Sequence, residues 1–130
     1  MILIGIDIGK LSHTFCVLNQ NTGEEIVSPT NIKNNKTGFD FLIDKVKCYK
    51  KEDMLFGMED TGHYHFPLLK FFLDKGYTVA LINPVTTDLT RKASGSISKT
   101  DKLDTLTICD VLSSNKKDKR PYRFFKVNRF

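Results

Sequence analysis

Ile2-Leu3-Ile4-Gly5-Ile6-Asp7-Ile8-Gly9 is the stretch whose reading decides the fold. A nearly continuous apolar run with β-branched residues is what a central strand buried on both faces requires. Its far end carries an anomaly, because an ionised carboxylate such as Asp7 is costly to bury without a partner. Capping of the turn Asp7-Ile8-Gly9 is the plainer alternative.

Outward from this strand, residues 13–18 and 25–28 read as two shorter strands. The turn-rich spacer Asn19-Gln20-Asn21-Thr22-Gly23 between them makes an antiparallel hairpin. Phe39, Leu42, Ile43, Val46 and Tyr49 then recur at helical spacing behind a cap at Thr37. Residues 54–58 read as another buried strand. A helix over 63–75 follows, with Pro67 in its first turns and Gly76 as its stop, and then a strand over 77–82. Strands alternating with helices in this second half imply parallel pairing, joined to the hairpin of the first half. Residues 91–100, small, polar and basic, predict a surface loop, and a last helix runs from Asp101 to about Ser113. The result is a mixed α/β sheet.

Two further acidic features stand at the ends of elements. Glu59 directly follows the strand over 54–58, and in open α/β sheets sites gather beyond the carboxyl ends of parallel strands. Asp60 points to the other side, so Glu59 is the partner expected for Asp7. A helix-start role for Glu59-Asp60-Thr61-Gly62 is the alternative. In Asp101-Lys102-Leu103-Asp104 the two aspartates fall on one helix face, continued by Ile108 and Val111, with Thr107 and Asp110 opposite. Capping from Ser98 accounts for Asp101 well and for Asp104 poorly. Four carboxylates brought together would repel unless a cation sits among them. All-oxygen donors suit a hard ion, Mg²⁺ or Mn²⁺, and two such ions serve phosphodiester chemistry.

Composition narrows the partners. The chain has 130 residues, 40% hydrophobic and 27% charged, as in one ordinary globular domain. It lacks an apolar run of about 20 residues, and Met1 leads into Ile-Leu-Ile without a basic region, so membrane and secreted readings fall. Of the net charge of +5, residues 116–130 supply seven basic and one acidic side chain, leaving thirteen basic and fourteen acidic elsewhere. A clustered basic tail suits nucleic acid, although a solvated chain end has the same composition. Cys16, Cys48 and Cys109 are odd in number and far apart, and read as small buried hydrophobes in a reduced interior. His63 and His65 straddle Tyr64 and make a poor joint metal site. His13 reads as packed or half-exposed rather than facing the acids.

These residues also resemble a family. Gly5-Ile6-Asp7-Ile8-Gly9-Lys10, Met58-Glu59-Asp60-Thr61-Gly62-His63-Tyr64 and Lys99-Thr100-Asp101-Lys102-Leu103-Asp104 look like the amino-terminal domain of DEDD insertion-sequence transposases. This is the IS one-ten family, Piv and MooV invertases included, and the likeness runs from about Ile2 to Leu112. It implies a ribonuclease-H-like, RuvC-type fold over residues 1–115, with a mixed five-stranded sheet and flanking helices. It carries the family's four acidic residues onto Asp7, Glu59, Asp101 and Asp104, as catalytic and metal-binding groups for Mg²⁺ or Mn²⁺. It implies DNA strand cleavage and joining for an insertion element, a guide RNA from that element, a homo-oligomer, and a bacterial cytoplasmic setting. Asp60 inside the Glu-x-Thr-Gly motif and Thr105 after Asp104 depart from the usual pattern.

Family members continue into a carboxyl-terminal domain with a serine nucleophile. The chain is therefore read as a fragment, inactive alone, whose basic segment 116–130 leads toward that domain, and Ser94, Ser96 and Ser98 are not its nucleophile. Lys10, Arg91, Lys92, Lys99, Lys102, Arg120 and Arg123 are the candidate nucleic-acid contacts. Two rival readings stand beside this one. The first is a nucleic-acid-binding module of the same fold without chemistry. The second is half of an actin or sugar-kinase type ATPase, which would need more hydroxyls than Asp7-Ile8-Gly9-Lys10-Leu11 offers and a second lobe.

Overall fold

Strand β1 (Ile2–Asp7) lies inside a six-stranded sheet with β2 (Ser12–Asn19), β3 (Glu25–Lys33), β4 (Met54–Glu59), β5 (Val79–Ile82) and β6 (Tyr122–Phe125). The computed structural model describes residues 1–59, 63–82, 101–113 and 122–125, stopping at the backbone for 101–104 and 122–125. The sheet order is β3-β2-β1-β4-β5-β6. β1 pairs antiparallel with β2 and parallel with β4, β4 pairs parallel with β5, and β3 and β6 are antiparallel outer strands. All five expected strands are present. The sixth, missed in the sequence because basic residues dominate its surroundings, brings part of the segment 116–130 into the sheet.

The hydrophobic pattern builds a core on each face. Ile4, Ile6, Phe15, Phe56 and Met58 meet helices α1 (Lys36–Val46) and α2 (Phe66–Asp74) through Leu42, Leu68 and Phe72. Leu3, Cys16, Leu55, Ala80 and Ile82 meet helix α3 (Asp101–Ser113) through Ile108, Cys109, Val111 and Leu112. Alternate residues of β1 thus serve opposite layers, which is why its sequence is apolar without interruption. Each fully buried Ile, Leu or Phe contributes about 1.5–3 kcal/mol relative to exposure. Among the described residues no helix is long and apolar enough to cross a membrane.

Local chemistry corrects several boundaries. Helix α1 is capped by Asn35, not Thr37: Asn35 Oδ1 accepts the Gly38 N–H at 2.9 Å. Its side chain meets a backbone donor that the first turn would otherwise leave unpaired. β3 runs on to Lys33 where the sequence suggests an end near Ser28. Helix α2 begins at Phe66, three residues later than expected, with Pro67 in its first turn where a missing N–H does no harm. Beyond its end Gly76 takes a positive φ of 84°. The Gly76 N–H donates to Leu73 O at 3.0 Å and the Tyr77 N–H to Phe72 O at 3.0 Å, a Schellman closure.

Of the cysteines, Cys16 and Cys109 are buried as expected and Cys48 is exposed. Cys48 lies just beyond α1, past the last turn that packs on the sheet.

Candidate active site

The register of β1 on β4 places the two strand-end acids side by side. Ile6 stands opposite Met58, so Asp7 and Glu59, the next residues along two parallel strands, are lateral neighbours. Laterally paired residues project to the same face, and successive residues alternate. Ile6 and Met58 belong to the core under α1 and α2, whereas positions 5 and 57 face α3. Asp7 and Glu59 therefore project toward the α3 face, at the carboxyl ends of their strands. Both are half-buried. Neighbouring strands lie about 4.8 Å apart, a separation at which two like charges repel by about 3 kcal/mol at an effective dielectric of 20.

Two glycines let α3 approach this face. A β-carbon on Gly5 would fall 2.5 Å from Thr105 O and 2.9 Å from Cys109 Sγ. One on Gly57 would fall 2.7 Å from Leu112 Cδ1. Glycine inside a buried strand marks such close approach, and this signal was open to reading in the sequence. Cys16 Sγ and Cys109 Sγ lie 3.7 Å apart and fasten the helix to β2. The hydrogen bond with Cys109 draws the Cys16 thiol pKa down, while the same contact and burial push Cys109 up.

Asp101 and Asp104 both lie in the first turn of α3, one helical turn ahead of Thr105 and Ile108, which are fully buried. Their side chains lie outside the description. Thr107, read in the sequence as polar surface, is 4% exposed. The helix buries a wider face than Ile108 and Val111 alone define, and Cys109 and Thr105 extend it. Asp110 stays exposed as expected.

Of the candidate nucleic-acid contacts, Lys10 is exposed on the turn after Asp7. Arg123 lies on β6 opposite Leu81, and Lys102 in the first turn of α3, both described only at the backbone. Arg91, Lys92, Lys99 and Arg120 lie outside the described residues, as do the loop over 91–100, Asp60 and Ser94 to Ser98. Among the described residues no group of three or more His, Cys, Asp or Glu side chains is placed to hold a metal ion.

The histidines separate. His63 is exposed against Phe66, with ring centroids 6.1 Å apart, and His65 is buried. His13 is 1% exposed and stacks beside Phe39 on the face opposite Asp7. Its Nδ1 accepts the Gly9 N–H at 3.1 Å. Burial lowers its pKa, and hydrogen bonding with the Asn34 side chain opposes that more weakly. Asn34 Nδ2 donates to Lys10 O at 3.1 Å and to Tyr64 O at 3.4 Å. Asn34 was not legible as special, because it stands in the polar run Lys33 to Thr37 with no periodic signal.

This arrangement has relatives. The sequence profile of the DEDD IS one-ten (IS110) family, described as Transposase, matches residues 4–127. The chain belongs to that transposase family. Two curated relatives are similar to the transposase chain, the pilin gene-inverting proteins of Moraxella lacunata and Moraxella bovis. Each is 28% identical over 107 residues, 81% of this chain and 32% of the relative. The chain thus spans about a third of the length of these relatives.

Among solved structures, Thermus thermophilus RuvC in complex with a Holliday junction substrate superposes with a TM-score of 0.55 at 11% identity. That match covers 83% of this chain and 89% of RuvC. The fowlpox virus Holliday junction resolvase gives 0.51 at 12% identity, covering 87% and 98%. At such identity the likeness shows the fold alone, a ribonuclease-H-like fold of RuvC type.

Proposed function

We propose that this transposase chain is a metal-dependent catalytic domain that cleaves and joins DNA strands of an insertion element. The observation that carries the reading is the Ile6–Met58 register, which makes Asp7 and Glu59 lateral neighbours on the face where α3 packs. Asp101 and Asp104 begin that same helix. The donor set fits a hard divalent ion: carboxylate oxygens only, two of them on adjacent rigid strands whose mutual repulsion a cation would relieve. Asp7, Glu59, Asp101 and Asp104 would hold two ions of Mg²⁺ or Mn²⁺. When bound, such ions activate an attacking oxygen and stabilise the leaving oxygen at a phosphodiester.

The chain's own residues supply position. Strand ends fix the backbone of Asp7 and Glu59 against the sheet. Lys10, exposed two residues beyond Ile8, would meet a phosphate beside the acids as a point charge. Setting the four acids aside as ligands, the first 115 residues carry thirteen basic and ten acidic side chains. That balance favours a polyanion.

A further carboxyl-terminal part in the working protein, toward which the segment 116–130 would lead, belongs to this reading by family. A guide RNA and a homo-oligomer belong to the same reading by family. The test is strand cleavage of branched DNA in Mn²⁺ by the protein with its carboxyl-terminal part. Cleavage should disappear in Asp7→Asn, Glu59→Gln, Asp101→Asn and Asp104→Asn. Cleavage that persists in Asp7→Asn or Asp104→Asn overturns the assignment and leaves a nucleic-acid-binding module.

A further inference from the structure

We propose that His13 and Asn34 form a positioning pair that ties the turn after Asp7 to the segment after Glu59 and so sets the spacing of the two carboxylates. The inference rests on the acid-site reading above and adds residues that lie on the opposite face of the sheet. The pair begins at Gly9, two residues beyond Asp7, whose N–H donates to His13 Nδ1 at 3.1 Å. An accepting Nδ1 requires a neutral ring with its proton on Nε2. Nε2 and Asn34 Oδ1 are both buried and, among the described residues, neither has a hydrogen-bond partner.

The Asn34 amide presents its nitrogen to two backbone carbonyls. Nδ2 donates to Lys10 O at 3.1 Å and to Tyr64 O at 3.4 Å, while the Asn34 N–H donates to Leu11 O at 3.0 Å. One side chain therefore touches the turn after β1 and Tyr64, five residues beyond the end of β4. The ladder between β1 and β4 ends at Ile6 and Met58, and Asn34 adds a contact between the two segments beyond it. A buried polar chain of this kind is rigid when complete and unfavourable when one member is removed. Phe39, stacked at 6.3 Å from His13, holds the ring from the α1 side.

The test reads the two segments separately in the whole chain, by amide hydrogen exchange resolved to single peptides. Asn34→Leu should speed exchange about tenfold both over residues 8–12 and over 63–66, leaving β5 unchanged. Asn34→Asp, a change of similar size, loses the amide donor to both carbonyls, so 8–12 and 63–66 should again loosen together. Mn²⁺ affinity, measured calorimetrically, should weaken about tenfold in Asn34→Leu and vanish in Asp7→Asn. Loosening confined to one segment in Asn34→Leu overturns the tie. Full Mn²⁺ affinity in Asn34→Leu, with none in Asp7→Asn, overturns the positioning role alone. Undiminished Mn²⁺ binding in Asp7→Asn overturns the acid site and with it the purpose given to the pair, while the exchange rates still judge the tie itself.

Discussion

Gly5 of β1 lies so close beneath Thr105 of α3 that a β-carbon on it would fall 2.5 Å from the Thr105 carbonyl oxygen. The obstacle is backbone, so relief requires moving the helix. Gly5→Ala should therefore destabilise by about 1–3 kcal/mol, as overpacking does, measured by urea unfolding. Gly57→Ala meets the flexible end of Leu112 and should cost less. Equal costs, or none at Gly5, would show that α3 does not lie this close to the sheet. Because α3 also carries Asp101 and Asp104, Gly5→Ala should weaken divalent-ion binding along with stability.

The cap of α1 makes a cleaner contrast. Asn35 accepts the Gly38 N–H, and Thr37 sits exposed inside the first turn. Asn35→Ala should cost about 1 kcal/mol, the usual value of a helix cap. Thr37→Ala should stay within about 0.5 kcal/mol, as surface changes do. The reverse order would restore Thr37 as the cap.

The strand order up to β5 and the two helices between were legible because their apolar periods are long and uninterrupted, as in 2–6 and 54–58. Boundaries were less so. Asn35 and Thr37 are both acceptable caps, and only the Gly38 N–H chooses between them. β6 was invisible, since Tyr122 to Phe125 is four residues inside a basic run and gains its strand character from pairing with β5. Asp7 and Glu59 were legible as misplaced charges at strand ends, but their shared face depends on the register of β1 with β4. That register is a tertiary fact. The contacts of Asn34 with Lys10 and Tyr64 span 24 and 30 residues and leave no pattern in the chain.

His13 gives stability a pH dependence. Burial holds its folded-state pKa below the ordinary value of 6.5. The unfolded chain then binds the proton more readily, so stability is full above about pH 6.5 and falls as pH drops below it toward the folded pKa. Urea midpoints measured from pH 7.5 to 5.5 should decline in the wild type. The decline should be shallower in His13→Gln. An equal decline in both would place the titrating group elsewhere.

The central claim is that the carboxyl ends of β1 and β4 and the start of α3 make one divalent-ion site. Paramagnetic broadening of backbone amide signals by substoichiometric Mn²⁺ tests it most directly, because it locates the ion without requiring catalysis. Signals around Asp7, Glu59 and Asp101 should broaden first and together, and Asp7→Asn should abolish the effect. Broadening that begins instead at the exposed acids of α1 and α2, around Asp44 and Asp74, with residues 6–8 and 58–59 left sharp, would contradict the account.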